Sequence, residues 1–327
     1  MKTRRSRLRP TALVVAAVLS FALGACGGGS SAATRDDGVV RVAVFPSLNA
    51  LGARTAELEG MFDEVGLTVE FVTTTTPADA MPQLVGGEID FALMDVSTPT
   101  IARSQGMPIV MVAPGAVGTE VDESGLGVGN FWVRKDSDIT SIADIENAVF
   151  GIPQSKSQLW IDVRLAVDRA GGDSSRISFI EVPNSIAALK SGSVDVITSA
   201  EPTGTALSAD PDVRLLSGFV SGAVGELAYA YVALEETAEA GPDLVEDFSA
   251  AILKANELLN EDPSVAPRIA TSYIDADPEL LEKAVYQKFG EEPISREDVE
   301  NARDRVLRYG LIDADDAPSA DEMLASR

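Results

Sequence analysis

Two stretches roughly a hundred residues apart repeat the same run of chemistry, and no other feature constrains the fold as much. Gly87-x-Ile89-Asp90 leads into an apolar run that exits through Asp95, Ser97, Thr98 and Pro99. Gly192-x-Val194-Asp195 leads into an apolar run that exits through Thr198, Ser199, Glu201 and Pro202. A glycine just past a helical run supplies a left-handed cap, and a short β-branched run after it suits an inner strand. Each stretch therefore predicts a helix end, a glycine stop, a buried strand and a polar loop.

Strands and helices alternate around both copies. In the first, the pattern predicts strands over 39–45, 67–72 and 89–94, with helices over 53–65 and 78–85. In the second it predicts strands over 148–152, 177–182 and 194–198, with helices over 159–169 and 186–190. The strand starts keep a nearly constant offset, and a proline and a serine open the first exit loop each time: Pro46-Ser47 and Pro153-Gln154-Ser155. Such alternation argues for parallel sheets with helices on their faces. The chain reads as two equivalent β-α-β-α-β lobes.

Further strands are predicted over 108–113, 130–135 and 228–234. The glycine-rich passages 115–129 and 217–227 read as two connections between lobes, and two such connections make a hinge. The remainder is helical: 242–260, 267–273, a helix opened by Asp277-Pro278 and running to 289, and one opened by Ser295-x-x-Asp298 that stops at Gly310. These helices are expected to lie on the first lobe. The resulting division is 38–135 for the first part of lobe 1, 136–220 for lobe 2, 221–316 for the return to lobe 1, and 317–327 for a loose tail.

The N-terminus has a separate logic. Five basic residues fall within 1–10, and an apolar run over 11–23 is too short for a comfortable membrane span. It ends in Leu23-Gly24-Ala25-Cys26, before a run of glycines and serines. This resembles a bacterial lipoprotein signal, with 1–25 removed, Cys26 lipidated, and 26–37 a flexible tether. The expected location is the outer face of the cell membrane.

Composition then excludes whole classes of chemistry. Of 327 residues 51 are acidic and 26 basic, giving a net charge of −25, so nucleic acid is a poor partner. Histidine is absent and Cys26 is the only cysteine. Triads built on histidine and histidine-ligated metals are thus unavailable. No catalytic group, cofactor or metal is expected.

Ligands of parallel sheets bind at the carboxyl ends of the strands, where exit loops and helix N-termini gather. The first lobe offers Ser47, Asn49, Thr74, Asp95, Ser97 and Thr98 there; the second offers Ser155, Ser157, Gln158, Asn184, Ser199 and Glu201. Hydroxyls and amides both donate and accept, so a cleft between the two sets grips a small polar solute. The 95–98 and 199–201 loops are expected to face one another across it.

Through these motifs the chain resembles the SsuA/THI5-like (NMT1) family of type II periplasmic solute-binding proteins. The resemblance rests on Ser141-Ile142-Ala143-Asp144-Ile145, on 190–202, and on Gly86-Gly87-Glu88-Ile89-Asp90 with 101–106, and spans about 38–270. It implies an α/β, two-lobed type II clamshell, each lobe a mostly parallel sheet flanked by helices, with the C-terminal helices on lobe 1. It also implies a monomer that hands a solute to ABC permease subunits, the relatives carrying sulfonates, taurine, nitrate or thiamine-pyrimidine-like compounds. The same fold serves THI5-like pyrimidine synthesis, which uses a histidine and a cysteine-rich motif, and a sensor module is a third reading. The exit loops depart from the family in lacking Trp, Tyr and Arg, with Lys156 their one basic group. Asp95 and Glu201 would repel a sulfonate and suit an amine-bearing ligand.

Overall fold

The computed structural model describes residues 38–325 apart from Thr76. The predicted signal, Cys26 and the tether lie outside the described residues.

Lobe 1 begins with β1 (Val39–Val44), α1 (Leu51–Leu58), α2 (Met61–Glu64), β2 (Thr68–Thr73), α3 (Met81–Val85), β3 (Phe91–Asp95), α4 (Ser97–Ser104) and β4 (Ile109–Pro114). A short β5 (Ala116–Val117) leads toward lobe 2, built from β6 (Gly129–Arg134), β7 (Val149–Ile152), α5 (Gln158–Arg169), β8 (Ser178–Glu181), α6 (Ser185–Lys190), β9 (Val196–Ala200), α7 (Thr203–Leu207) and β10 (Val213–Phe219). The chain returns through β11 (Tyr229–Leu234), α8 (Glu235–Ala240), α9 (Pro242–Glu261), α10 (Val265–Ala270), α11 (Pro278–Lys283), β12 (Lys288–Phe289), α12 (Arg296–Arg308) and α13 (Ala320–Met323).

The two sheets are built alike. One runs β2-β1-β3-β11-β4, the other β8-β7-β9-β6-β10. In each, the first, second and third strands of a β-α-β-α-β unit are parallel, and the fourth is antiparallel and arrives from the other lobe. The two-lobed α/β clamshell is therefore the architecture of this chain.

Side-chain alternation along the strands sorts lobe 1 into two cores. Val40, Val42, Val44, Phe91, Leu93, Tyr231 and Ala233 meet α1, α2 and α9 on one face. Ala43, Ala92, Met94, Ala230 and Val232 meet α3, α4, α12 and α13 on the other. Phe248 of α9 anchors the first face, stacked on Phe91 at 4.2 Å between ring centroids. Full burial of such a ring contributes about 1.5–3 kcal/mol. Lobe 2 is divided the same way, with Phe131, Phe150 and Val196 under α5 and Trp132, Ile197 and Leu189 on the opposite side.

Three readings from the sequence are corrected here. Strand β6 pairs with β9 and β10, so 129–134 belongs to lobe 2 and the first crossing lies before it. The helix opened by Pro278 stops at Lys283, because 288–289 pairs with β5 instead. The tail is not loose: Ser319 and Glu322 form a capping box for α13, Met323 is fully buried, and Leu324 bridges Met111 at the β4 edge.

The two crossings run against each other as a ribbon. Val117 bridges Leu227, the Gly118 N–H donates to the Glu226 carbonyl (2.8 Å), and the Gly225 N–H donates to the Gly118 carbonyl (2.8 Å). Further along, the Gly218 N–H donates to the Gly125 carbonyl (2.7 Å).

Candidate functional site

The repeated motif has its own physical meaning, and it is architectural. Asp90 Oδ2 accepts from the Arg41 N–H (2.7 Å), and Asp195 Oδ2 accepts from the Val149 N–H (2.9 Å). In each lobe the motif aspartate thus ties the approach to the third strand onto the first strand. The acids that end the third strands act in parallel too. Asp95 Oδ1 accepts from the N–H groups of Ser97 (3.0 Å) and Thr98 (2.9 Å), and its Oδ2 from the Thr98 hydroxyl (2.7 Å). Glu201 Oε2 accepts from the Thr205 N–H (3.1 Å) and hydroxyl (2.8 Å), while its Oε1 accepts from Asn130 Nδ2 (3.3 Å). Each acid therefore caps the helix that follows it, satisfying donors that the first turn leaves free.

Both carboxyls are held above their ordinary range, burial being the main cause, opposed by the capping hydrogen bonds.

Most of the other hydroxyls and amides picked from the sequence cap or pin the exit loops. Ser47 caps the turn after β1 and its carbonyl accepts from the Tyr273 hydroxyl (2.9 Å), while Asn49 Oδ1 accepts from Gln287 Nε2 (3.0 Å). Thr74 is buried, with its N–H on the Val44 carbonyl. In lobe 2, Ser157 caps α5, Asn184 caps α6, and the Ser155 N–H donates to Glu181. Ser199 accepts from the Trp132 indole N–H (2.8 Å). Lys156, exposed in the loop before α5, adopts φ 59°, a left-handed conformation uncommon outside glycine.

Two of the chosen residues meet across the lobes. The Ser97 hydroxyl, at the first residue of α4, donates to Gln158 Oε1 at the first residue of α5. The 95–98 loop thus touches the start of α5. Glu201 has Tyr286 of lobe 1 nearby, whose hydroxyl is pushed up to about 12 by burial and then by the Glu201 charge. On that side α7 approaches α11.

Beyond Ser97 and Gln158 stands a group that the sequence did not suggest. Asp162, one helical turn after Gln158, is 4% exposed and accepts from Gln158 Nε2 (3.0 Å), Ser221 Oγ (2.7 Å) and the Gly222 N–H (3.3 Å). Burial pushes its carboxyl up to about 6, against those hydrogen bonds and the attraction of Arg305. Tyr229, at the start of β11 opposite Asp95, stands tilted against Phe45 at 6.0 Å. Its hydroxyl is raised well above the usual phenol range by burial, then by Asp95 and Asp162. The helix predicted over 159–169 began one residue after Gln158, so the i, i+4 relation of Gln158 and Asp162 was not visible in the sequence.

The site is therefore acidic and rich in neutral donors and acceptors. Arg305, the cation facing Asp162, donates through Nη2 to the Leu227 carbonyl (2.9 Å) and through Nε to the Asn301 carbonyl (3.2 Å), while its buried Nη1 lies 3.9 Å from Glu226 without a hydrogen bond. A groove of about 1000 Å³ lies elsewhere, on the outer side of lobe 1 between α9, β4 and the C-terminal segment, and none of the candidate residues lines it. Among the described residues no acidic, cysteine or histidine cluster is arranged to hold a metal, and no helix is long and apolar enough to cross a membrane.

The family profile described as NMT1/THI5 like matches residues 48–266, which takes in both crossings and every strand of the two five-stranded sheets except β1. The chain belongs to the NMT1/THI5-like family. A curated relative, the formylaminopyrimidine-binding protein of Halalkalibacterium halodurans, is 31% identical over 139 residues, 42% of this chain. The match spans only 39% of that relative's length. Solved structures share the fold at low identity. The periplasmic aliphatic sulphonate-binding protein SsuA of Escherichia coli superposes with a TM-score of 0.68 at 15% identity, covering 88% of this chain and 92% of that one. A zinc-bound ligand-binding component of an ABC-type import system from Staphylococcus aureus gives 0.71 at 16%, covering 88% and 99%. The periplasmic nitrate-binding protein NrtA of Synechocystis PCC 6803 gives 0.67 at 14%, covering 88% and 86%. This NMT1/THI5-like chain thus carries the fold of periplasmic binding proteins.

Proposed function

We propose that this NMT1/THI5-like protein is the extracytoplasmic solute-binding component of an ABC importer, and that its solute is small, polar and rich in N–H donors. The observation that carries the ligand class is the pair of buried acids near Tyr229 where the lobes meet: Asp95, opposite Tyr229 in the sheet, and Asp162 beside Gln158 and Ser221. An anion placed there would meet the Asp95 and Asp162 carboxylates, whereas an amino-heterocycle or amine would meet acceptors. The stretch shared with a formylaminopyrimidine-binding protein supports the same class. The absence of histidine, and a lone cysteine at 26, favour binding over catalysis. Ser47, Asn49, Thr74, Ser97, Thr98, Ser155, Ser157, Gln158, Asn184, Ser199 and the two capping acids form the polar rim in this reading.

A thermal-shift screen at neutral pH tests the class. Aminopyrimidines are expected to raise the melting temperature, since ligand at a hundred times its dissociation constant adds about 2.7 kcal/mol. Alkanesulfonates and nitrate are expected to leave it unchanged. A sulfonate or nitrate hit with no aminopyrimidine hit would overturn the assignment.

Attachment to the membrane through lipidated Cys26 belongs to the same proposal. In a bacterial host fed a labelled fatty acid, the full chain should take up label and sediment with membranes. Cys26→Ser should lose both; label retained in that variant would refute the anchor.

A further inference from the structure

Opening a clamshell moves three parts against one another: lobe 1, lobe 2 and the crossings that join them. One side chain touches all three. Gln158 begins α5 of lobe 2 and is buried. Its Oε1 accepts from Ser97 of lobe 1, and its Nε2 donates to Asp162 (3.0 Å) and, at the long limit of 3.5 Å, to Ser221 in the returning crossing. Ser221 and the Gly222 N–H both donate onward to Asp162. The Gly222 carbonyl accepts from Arg169, at the far end of the same helix.

The amide has no choice of orientation. An ionised carboxylate only accepts, so Asp162 must be faced by Nε2, and Oε1 is left to accept the Ser97 hydroxyl. The buried carboxylate therefore sets which end of Gln158 reaches across to lobe 1.

The rest of α5 already lies on lobe 1. Ile161 shares an apolar cluster with Val306 and Ile312, Trp160 meets Tyr309 edge-on at 6.2 Å, and Asp168 accepts from Arg308 and Tyr309, both at 2.9 Å. Apolar contacts of this kind tolerate small rotations. A hydrogen bond of fixed direction does not. The Ser97–Gln158 bond sits at the strand-end side of α5, where the two lobes carry their exit loops.

We infer that Gln158 is a positioning residue that latches the lobes: besides its place on the polar rim, it fastens lobe 2 to lobe 1 and to the returning crossing at once, holding the arrangement in which they touch. The inference rests on the binding reading only for its consequence, a tighter hold on solute through pre-organisation. The latch itself can be tested with no ligand present.

The test uses the full chain with Cys26→Ser and spin labels on two introduced cysteines, Glu257→Cys on α9 and Ser178→Cys on β8, both exposed. Inter-lobe distance distributions are measured by pulsed electron resonance. Gln158→Met, which keeps the volume but loses both ends of the relay, should add a longer-distance population absent from the parent. Ser97→Ala, which removes only the lobe 1 end and leaves Asp162 partnered, should do the same to a lesser extent. Asp162→Asn, which can keep every bond with Ser221 reversed, should retain the parental distribution. With an aminopyrimidine as probe, Gln158→Met should weaken binding roughly three- to tenfold, as loss of one or two hydrogen bonds does, through a faster off-rate. Distributions of Gln158→Met and Ser97→Ala superimposable on the parent would overturn the latch. Failure of the probe to bind the parent counts against the ligand class alone, because the distances are read without it.

Discussion

Gly118→Ala is expected to destabilise the protein by about 3 kcal/mol, the upper end of what overpacking costs. A Cβ at this position would lie 2.0 Å from the Ala223 carbonyl oxygen and 2.6 Å from that of Ser221. Both are backbone atoms of the other crossing, so no side chain can swing aside. The two crossings would have to part, and with them the reciprocal bonds of Gly118 to Glu226 and Gly225. Gly225, in the same ribbon at φ +83°, has nothing within 4 Å of its would-be Cβ. Gly225→Ala should therefore cost only the left-handed penalty, about 1 kcal/mol. Urea unfolding of both variants at one pH gives the comparison. Equal losses would show that backbone conformation, and not close approach of the crossings, governs the hinge.

The contrast between these glycines shows what the sequence could and could not convey. Glycine-rich passages over 115–129 and 217–227 marked the crossings, because composition alone reveals where side chains are unwelcome. Which strand follows which crossing was another matter. The apolar run of 129–134 predicts a strand, but periodicity names no partner, and only pairing with β9 and β10 places it in lobe 2. Strand β10 was hidden for a related reason: Ser217 and Gly218 interrupt its apolar pattern where the register shifts between Leu215 and Ser217.

The repeat was legible as a repeat, but the bonds its acids make were not. Asp90 and Asp195 pin strands, and Asp95 and Glu201 cap helices, so four of the most conspicuous acids are occupied by backbone or hydroxyl donors. A capping acid and a ligand-binding acid look identical in one dimension. The capping box at Ser319 and Glu322 had a readable signature, Ser-x-x-Glu, yet the polar residues around it suggested a tail. Asp162 had no signature at all. Its importance comes from Ser221 and Gly222, about sixty residues away and brought to it only by the return crossing.

Asp162→Asn is expected to stabilise the protein at pH 8, and the gain should vanish as the pH falls. In the folded chain burial raises this carboxyl from 3.8 to about 6. Below both values the group is protonated folded and unfolded, and it contributes nothing. Between them the native state holds a proton that the unfolded state has lost, so stability falls as pH rises. Above 6 the native carboxylate carries the full penalty, about 3 kcal/mol for a shift of this size. Asparagine removes that penalty and can still accept from Gln158 and the Gly222 N–H while donating to Ser221, whose hydroxyl rotates. Charge-assisted bonds are stronger than neutral ones, which trims the expected gain at pH 8 to about 2 kcal/mol. At pH 4 it should shrink below about 1 kcal/mol. Arg305 faces the same carboxyl from α12, and its attraction for Asp162 lowers the carboxyl pKa. Arg305→Met should therefore make the wild-type penalty larger and move the pH at which it is complete to a higher value. Denaturant titrations of the parent and both variants at pH 4, 6 and 8 supply the test. A gain in Asp162→Asn that is the same at all three values would mean that packing, not a buried charge, accounts for it.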